Sequence, residues 1–164
     1  MNNDNALNRI LGKFSCAQKF ILASLRVIVG WHFLYEGYVK IVSEGWSSAG
    51  YLNAAPGPFA EIFHNMAESP WMVSAVDIIM SWGLTLIGIA LILGLFTRLV
   101  SVAAAFFLIM FYLSNPPWIG VQFMAGEGSY MIVNKNLVEL TAVMVLLVFP
   151  TGVIWGFDRI FVKE

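Results

Sequence analysis

Long apolar stretches alternate with shorter polar segments along this chain, and four of the apolar stretches are about 20 residues long. A helix needs about 20 residues to cross the roughly 30 Å of hydrocarbon in a bilayer. The pattern therefore predicts an all-α protein, an integral membrane four-helix bundle. The predicted spans are Gln18–Ile41, Pro70–Phe96, Thr97 to about Asn115, and Asn136 to about Trp155.

The segments between the spans predict how the chain is oriented. We expect an N-terminal segment at 1–17, a four-span membrane domain at 18–159 and a tail at 160–164. Basic residues are concentrated beside the two termini and in the 94–98 turn, and basic loops normally stay in the cytoplasm. Both termini are therefore expected on the cytoplasmic side of the cytoplasmic (inner) membrane. The long loops 42–70 and 115–136 are expected outside, the first as a lid or as an interfacial anchor. The basic residues of the cytoplasmic side are Arg9, Lys13, Lys19, Arg98, Arg159 and Lys163.

The first span combines a charged face with a seam of small residues. On a helical wheel, Arg26, His32, Glu36 and Lys40 fall within an arc of about 120°. A charge at bilayer depth costs roughly 2.5 kcal/mol or more, so it normally faces protein or water and marks function. Beside this arc, residues 23, 30 and 37 are small and would let a neighbouring helix approach closely. They are Ala23, Gly30 and Gly37.

Two further carboxylates are predicted to face the same region. Asp77 lies on a polar stripe of the second span, about two turns inside its external end, and this stripe suits packing against the charged arc. Glu139 lies about one turn inside the fourth span. These positions predict one polar pocket near the external leaflet. Two alternatives stay open, because Glu36 and Lys40 are spaced to neutralise each other and Asp77 fits an ordinary polar clasp.

Composition restricts the class of protein further. The chain has 164 residues, of which 59% are hydrophobic and 12% charged, well below the roughly 25% charge of ordinary globular domains. The net charge of −1 argues against a nucleic-acid partner. The single cysteine, Cys16, excludes an internal disulfide or a paired-cysteine redox motif. With two histidines, His32 and His64, a metal site is not expected.

Several ordered motifs carry a family resemblance. From about Gln18 to Arg159 the chain resembles the DoxX/DoxD family, and within it the DoxD small subunit of thiosulfate:quinone oxidoreductase. The motifs are LRVIVGWHFLYEGYVKI, GWSSAGYL, GPFAEIF, WGLTLIGIALILGLFTRLVS, SNPPW, EGSYMIVNKNLVE, FPTG and GFDR.

The resemblance implies a four-helix membrane subunit that works with a second redox subunit, oxidising thiosulfate to tetrathionate and reducing a membrane quinone. It carries no catalytic residue over to this chain. The suspected quinone would need an apolar slot, donors for its carbonyls and a proton source. No haem ligand pair or flavin motif is seen.

The polar and aromatic residues provide candidates for those roles. As proton-transfer groups we predict Glu36, Asp77, His32 and Glu139. As groups that bind the substrate or quinone we predict Arg26, Lys40, Trp82, Asn115 and Lys135. Aromatic walls are expected from Trp31, Phe33, Tyr35, Trp82, Phe111 and Tyr112.

Other functions fit the same pattern. Charges that face a bundle interior are as typical of a small-molecule or anion carrier as of an enzyme. A non-catalytic membrane helper would also account for the small-residue seam. As the partner of the chain in the bilayer we expect either a second redox subunit or further copies of the chain, in a homo-oligomer. Whether the chain has enzymatic turnover therefore stays open at this level.

Overall fold

Four long helices make up most of the described structure. The computed structural model describes residues 12, 14–117, 132–149 and 151–161, and the backbone of 129–130. The helices are α1 (Cys16–Val42), α2 (Ala49–Asn53), α3 (Ala60–Glu68), α4 (Pro70–Leu93), α5 (Thr97–Ser114), α6 (Lys135–Val148), α7 (Thr151–Ile154) and α8 (Asp158–Phe161). A short antiparallel pair of strands, β1 (Ser129–Tyr130) and β2 (Val133–Asn134), precedes α6.

The helix ends follow from local sequence. Ser15 and Gln18 form a capping box in which each side chain accepts a hydrogen bond from the other residue's backbone N–H, and this begins α1. Pro70 begins α4, where its missing N–H costs nothing. Gly94 ends α4 in the left-handed conformation, with φ of 68°, which glycine adopts without strain. The Asn134 side chain caps α6 by accepting from the N–H of Leu137, 3.0 Å away.

Two predicted boundaries are wrong. The second span was expected to reach Phe96 but its helix ends at Leu93. The fourth was expected to reach about Trp155, yet α6 ends at Val148 because Phe149 is extended, with φ of −102° and ψ of 103°. Phe149 precedes a proline in the sequence, and the ring of a following proline disfavours helical geometry.

One hydrophobic core joins the four long helices. Its buried members come from α1, α4, α5 and α6, and they include Phe33, Leu84, Leu108 and Val143. A smaller cluster of Leu52, Ala55 and Phe63 packs α2 and α3 against Met110 on α5.

The small residues of α1 form the predicted seam, and it faces α4. A Cβ at Gly37 would collide with Thr85, and one at Gly30 would lie 2.9 Å from the Leu91 side chain. In return, Gly88 of α4 lies directly against the backbone of Leu34. The polar stripe of α4 therefore packs on the seam and not, as predicted, on the charged arc. Thr85 satisfies its hydroxyl within α4 by donating to the Ser81 carbonyl at 2.7 Å.

Two of the described helices, α4 and α5, are long and apolar enough to cross a membrane by length and composition. The helices of the other two predicted spans, α1 and α6, do not meet this criterion of length and composition, each for a different reason. Helix α1 has 27 residues but carries the charged arc, and α6 has 14 residues, about 21 Å at 1.5 Å per residue.

Candidate functional site

A cavity of about 300 Å³ lies among α1, α4, α5 and α6, beneath the segment that leads into α2. One part of its wall is hydrocarbon and aromatic, from Phe33, Met80, Leu84, Leu108 and Phe111. Trp46, Ser47 and Tyr51 line it from the loop side. We call this space the inner cavity.

Most of the remaining wall consists of five ionisable side chains that we call the polar cluster: His32, Glu36, Lys40, Lys135 and Glu139. The imidazole Nδ1 of His32 lies 2.6 Å from a carboxylate oxygen of Glu139, and its Nε2 lies 3.7 Å from Glu36. The Lys40 ammonium donates to the other oxygen of Glu36 at 2.8 Å. Lys135 approaches Glu36 at 4.0 Å. The cluster is therefore continuous between α1 and α6.

Helix periodicity explains this arrangement. The α1 members are four residues apart and so stack on one face, one turn above another. On α6, the cap at Asn134 makes Lys135 the first helical residue, which places Glu139 one turn in, beside His32. The side chains of Lys40 and Glu139 are mostly enclosed, at 14% and 11% exposure, whereas Lys135 is open at 70%.

The charges in the cluster compensate one another. Two carboxylates face two ammonium groups, so the cluster is neutral when His32 is neutral and carries one positive charge when it is protonated. Such pairing is what makes enclosed charges tolerable. When Glu139 is ionised, Nδ1 of His32 carries a proton and donates to it, which orients the ring and leaves Nε2 facing Glu36. The pair can therefore accept and return a proton at a fixed position.

The cluster does not resemble a metal site. The two ring nitrogens of His32 face carboxylates on different helices. In the part of the chain that the structure describes, no group of three or more His, Cys, Asp or Glu side chains is arranged to hold an ion.

Asp77 does not line the inner cavity, contrary to the predicted convergence. Its carboxylate accepts a hydrogen bond from the backbone N–H of Ser48 at 2.6 Å. Ser47, the preceding residue, lines the cavity. Asp77 therefore clasps the loop that closes the site, which is the alternative that the sequence left open.

Arg26 also lies outside the cavity, near the opposite end of the helices. It is 2% exposed, and its Nη2 donates to the carbonyl of Trp155 at 2.6 Å. Glycines at 94 and 156 make room for the guanidinium, since a Cβ on either would contact Nη1. Among the described residues, Nε and Nη1 have no hydrogen-bond partner. Sequence periodicity correctly placed Arg26 on the same face of α1 as His32. It could not show that this face contacts Glu139 at His32 but the carbonyl of Trp155 at Arg26.

Two other predicted binding residues are outside the site. Trp82 is 55% exposed on the outer surface, and Asn115 is an exposed residue at the C-terminal end of α5. Of the predicted aromatic walls, Phe33 and Phe111 line the cavity, whereas Trp31 and Tyr35 point outward. Exposed aromatics are ordinary on a helix that faces lipid.

Seven lining residues were missed by the sequence prediction: Trp46, Ser47, Tyr51, Met80, Leu84, Leu108 and Asn136. The Tyr51 hydroxyl pairs with Ser114 and donates to the carbonyl of Phe111 at 3.3 Å, which anchors α2 to the end of α5. Lys40 lies 5.6 Å from the ring centre of Trp46, within reach of a cation–π contact. The available signal was the concentration of aromatic and hydroxyl residues in the GWSSAGYL segment.

Comparison with known proteins places the chain in a family. A family model for DoxX matches residues 21–115, more than half of the chain. The match includes His32, Glu36 and Lys40, and ends before Lys135 and Glu139. No curated protein and no solved structure gives a significant match. The resemblance seen in the sequence is thereby confirmed at the level of the family: this chain belongs to the DoxX family.

Proposed function

We propose that this DoxX protein is a membrane subunit of a redox system in which the inner cavity binds the ring of a membrane quinone, similar to the DoxD subunit of thiosulfate:quinone oxidoreductase. In this proposal the four long helices are embedded in the cytoplasmic membrane with both termini in the cytoplasm. The observation that carries it is the hydrogen-bonded pair of His32 and Glu139 in the wall of a largely apolar cavity.

The inner cavity fits a quinone ring in size and in chemistry. About 300 Å³ is at the lower end of the range for small-molecule sites, which are mostly apolar with a few convergent polar groups. Phe33 and Phe111 offer flat apolar surface. Lys40, and His32 when its Nε2 is protonated, offer N–H groups from which a quinone carbonyl oxygen can accept a hydrogen bond. The donors are concentrated on one side, so they would orient the ring.

The polar cluster supplies the proton chemistry. Reduction of a quinone to a quinol consumes two electrons and two protons. His32 would hold or release a proton at Nε2 toward the cavity, while Glu139 compensates the charge on the ring through Nδ1. Glu36, which faces both His32 and Lys40, would pass protons along α1.

The electrons must come from a separate donor. Oxidation of two thiosulfate ions to one tetrathionate ion releases the two electrons that one quinone accepts. Because the sequence carries no haem ligand pair or flavin motif, we propose a second redox subunit as the partner that delivers them.

A structural role is the rival proposal, since Lys40 and Glu36 already satisfy each other at 2.8 Å. A non-catalytic helper, or an anion carrier, would need the cluster for packing or passage and not for proton transfer. Substitution of a carboxylate by its amide separates these roles, because the amide keeps the shape and the acceptor oxygen but loses the charge and the exchangeable proton.

The test is Glu139→Gln in protein purified from native membranes together with whatever subunits accompany it. We expect wild type to contain extractable quinone, and we expect the variant to lose about a hundredfold in thiosulfate-dependent quinone reduction, the effect of losing one acid–base group. Glu44→Gln is the matched control, since Glu44 is exposed and does not line the cavity. Wild-type protein that contains no quinone and binds none on titration would refute the proposal.

A further inference from the structure

A second recess lies on the far side of the His32 and Glu139 pair. This outer groove, of about 440 Å³, runs between α1 and α6. Its hydrocarbon walls are Ile28 and Val29 on one side and Val138 and Ala142 on the other. Ile28 and Val138 are 66% and 61% exposed, so the groove opens on the outer surface of the helices.

The groove and the inner cavity share a wall. His32, Lys135 and Glu139 line both spaces, so the polar groups stand at the junction between them. Beyond that junction the walls of the groove along α1 and α6 are hydrocarbon. The two spaces together therefore match a molecule with a polar, flat head and an apolar chain.

We propose that the outer groove binds the hydrocarbon chain of the ligand whose ring occupies the inner cavity. The substrate class is then a quinone with an apolar side chain, held with its ring and chain on opposite sides of the His32 and Glu139 pair. This inference rests on the proposed function. It goes beyond it by assigning a chain-binding site and by making Val138 and Ile28 determinants of specificity.

The location of the outer groove on the protein surface supports this assignment. A ligand dissolved in the bilayer would reach the protein from the lipid side, and the groove presents the exposed apolar residues Ile28 and Val138 at the outer surface. The hydrogen bond between His32 and Glu139 joins α1 and α6 in the wall that the two spaces share. A ligand with its ring in the cavity and its chain in the groove would lie against this pair, which places the ring beside the proton-exchanging groups.

The experiment compares two probes, a dimethoxy-methyl-benzoquinone without a side chain and its decyl derivative. Binding of each is measured by isothermal titration calorimetry to wild type, Val138→Trp and Ile28→Trp in one detergent, so that partitioning into micelles cancels. Each tryptophan would occupy the groove from one wall, and both sites tolerate bulk because they are exposed. We expect each variant to bind the decyl compound about tenfold more weakly and the compound without a chain unchanged.

Val148→Trp is the matched control, because Val148 is also on α6, is 64% exposed and does not line the groove. It should bind both compounds as wild type does. If Val138→Trp and Ile28→Trp leave the decyl compound unaffected, or weaken both compounds equally, the groove does not bind the chain and the proposal is wrong. If wild type binds neither compound, the proposed function itself fails.

Discussion

At the scale of single residues, His32 connects the α1 and α6 members of the polar cluster. Its two ring nitrogens face carboxylates on different helices, Glu36 on α1 and Glu139 on α6. A lysine or arginine at this position would offer only donors, whereas neutral imidazole offers one donor and one acceptor. The residue therefore suits proton exchange between a bound ring and the helices, and the Glu139→Gln experiment above tests this role.

The environment of Tyr51 changes the pKa of its hydroxyl and therefore the dependence of protein stability on pH. Burial raises the pKa of its hydroxyl, and the hydrogen bond with Ser114 opposes that shift. The neutral hydroxyl is thus favoured in the folded protein, while the unfolded chain ionises near its ordinary pKa of about 10. The stability that this group contributes is present below about pH 10 and is lost as the pH rises through the folded pKa.

We expect Tyr51→Phe to lower the unfolding free energy by about 1 kcal/mol near neutral pH, because α2 loses its bond to the end of α5. The same variant should lose less stability than wild type as the pH rises above about 10. Thermal unfolding in detergent at a series of pH values measures both effects. Tyr38→Phe, which removes an exposed hydroxyl, is the control. Parallel alkaline curves for Tyr51→Phe and wild type would contradict the account.

At the scale of secondary-structure elements, close contact between α1 and α4 aligns the cavity walls. Glycines on both helices permit this approach: Gly30 and Gly37 on α1, and Gly88 on α4. Phe33 and Leu84, which belong to these two helices, both line the inner cavity. The distance between the helices therefore sets the width of the site.

Gly88→Ala should destabilise the protein by about 1–3 kcal/mol, since the added methyl group meets the Leu34 backbone, which cannot move without shifting α1. Gly50→Ala is the matched control, because nothing lies within 4 Å of a Cβ there and its effect should stay within about 0.5 kcal/mol. Equilibrium unfolding of the two variants in mixed micelles measures the difference. Equal effects for both would show that the seam is not tightly packed.

At the scale of the whole molecule, the described structure has two chemically distinct ends. One end holds the inner cavity and the α2 and α3 segment. At the other end, the C-terminal part of the chain folds back on the turn between α4 and α5, where the backbone N–H of Asp158 donates to the Gly94 carbonyl at 2.9 Å. The Asp158 carboxylate accepts from the N–H groups of Phe96 and Thr97 and from the Thr97 hydroxyl.

Asp158 therefore caps the N-terminus of α5 from a distant part of the chain. Helix α5 begins at Thr97 itself, after Phe96 in a left-handed conformation, and no side chain of the preceding residue caps it. A carboxylate at a helix N-terminus satisfies free N–H groups and complements the helix dipole.

Asp158→Ala should cost about 2 kcal/mol and should release residues 151–161 from the turn, because three donors lose a charged acceptor. Hydrogen–deuterium exchange should be faster at that end, while the quinone binding that we propose at the inner cavity should stay unchanged. Glu61→Ala removes an exposed carboxylate and should alter neither property. Unchanged exchange in Asp158→Ala would show that Asp158 does not hold residues 151–161 to the turn.

The sequence by itself determined the helical elements and the residues that share a face. Glu36 and Lys40 pair because they are four apart, and Gly30 and Gly37 meet one neighbour because they are seven apart. These relations depend on the geometry of a single helix, which is the same wherever that helix packs. Family membership was likewise readable from ordered motifs.

Only the tertiary structure decided which faces meet. Nothing local indicates that His32 pairs with Glu139 while Asp77 binds the N–H of Ser48, or that Arg26 reaches the Trp155 carbonyl at the opposite end from the cavity. Each of these partners is separated from the other by tens of residues along the chain. Their distances depend on how all four long helices pack at once, and small glycine contacts between α1 and α4 set that packing.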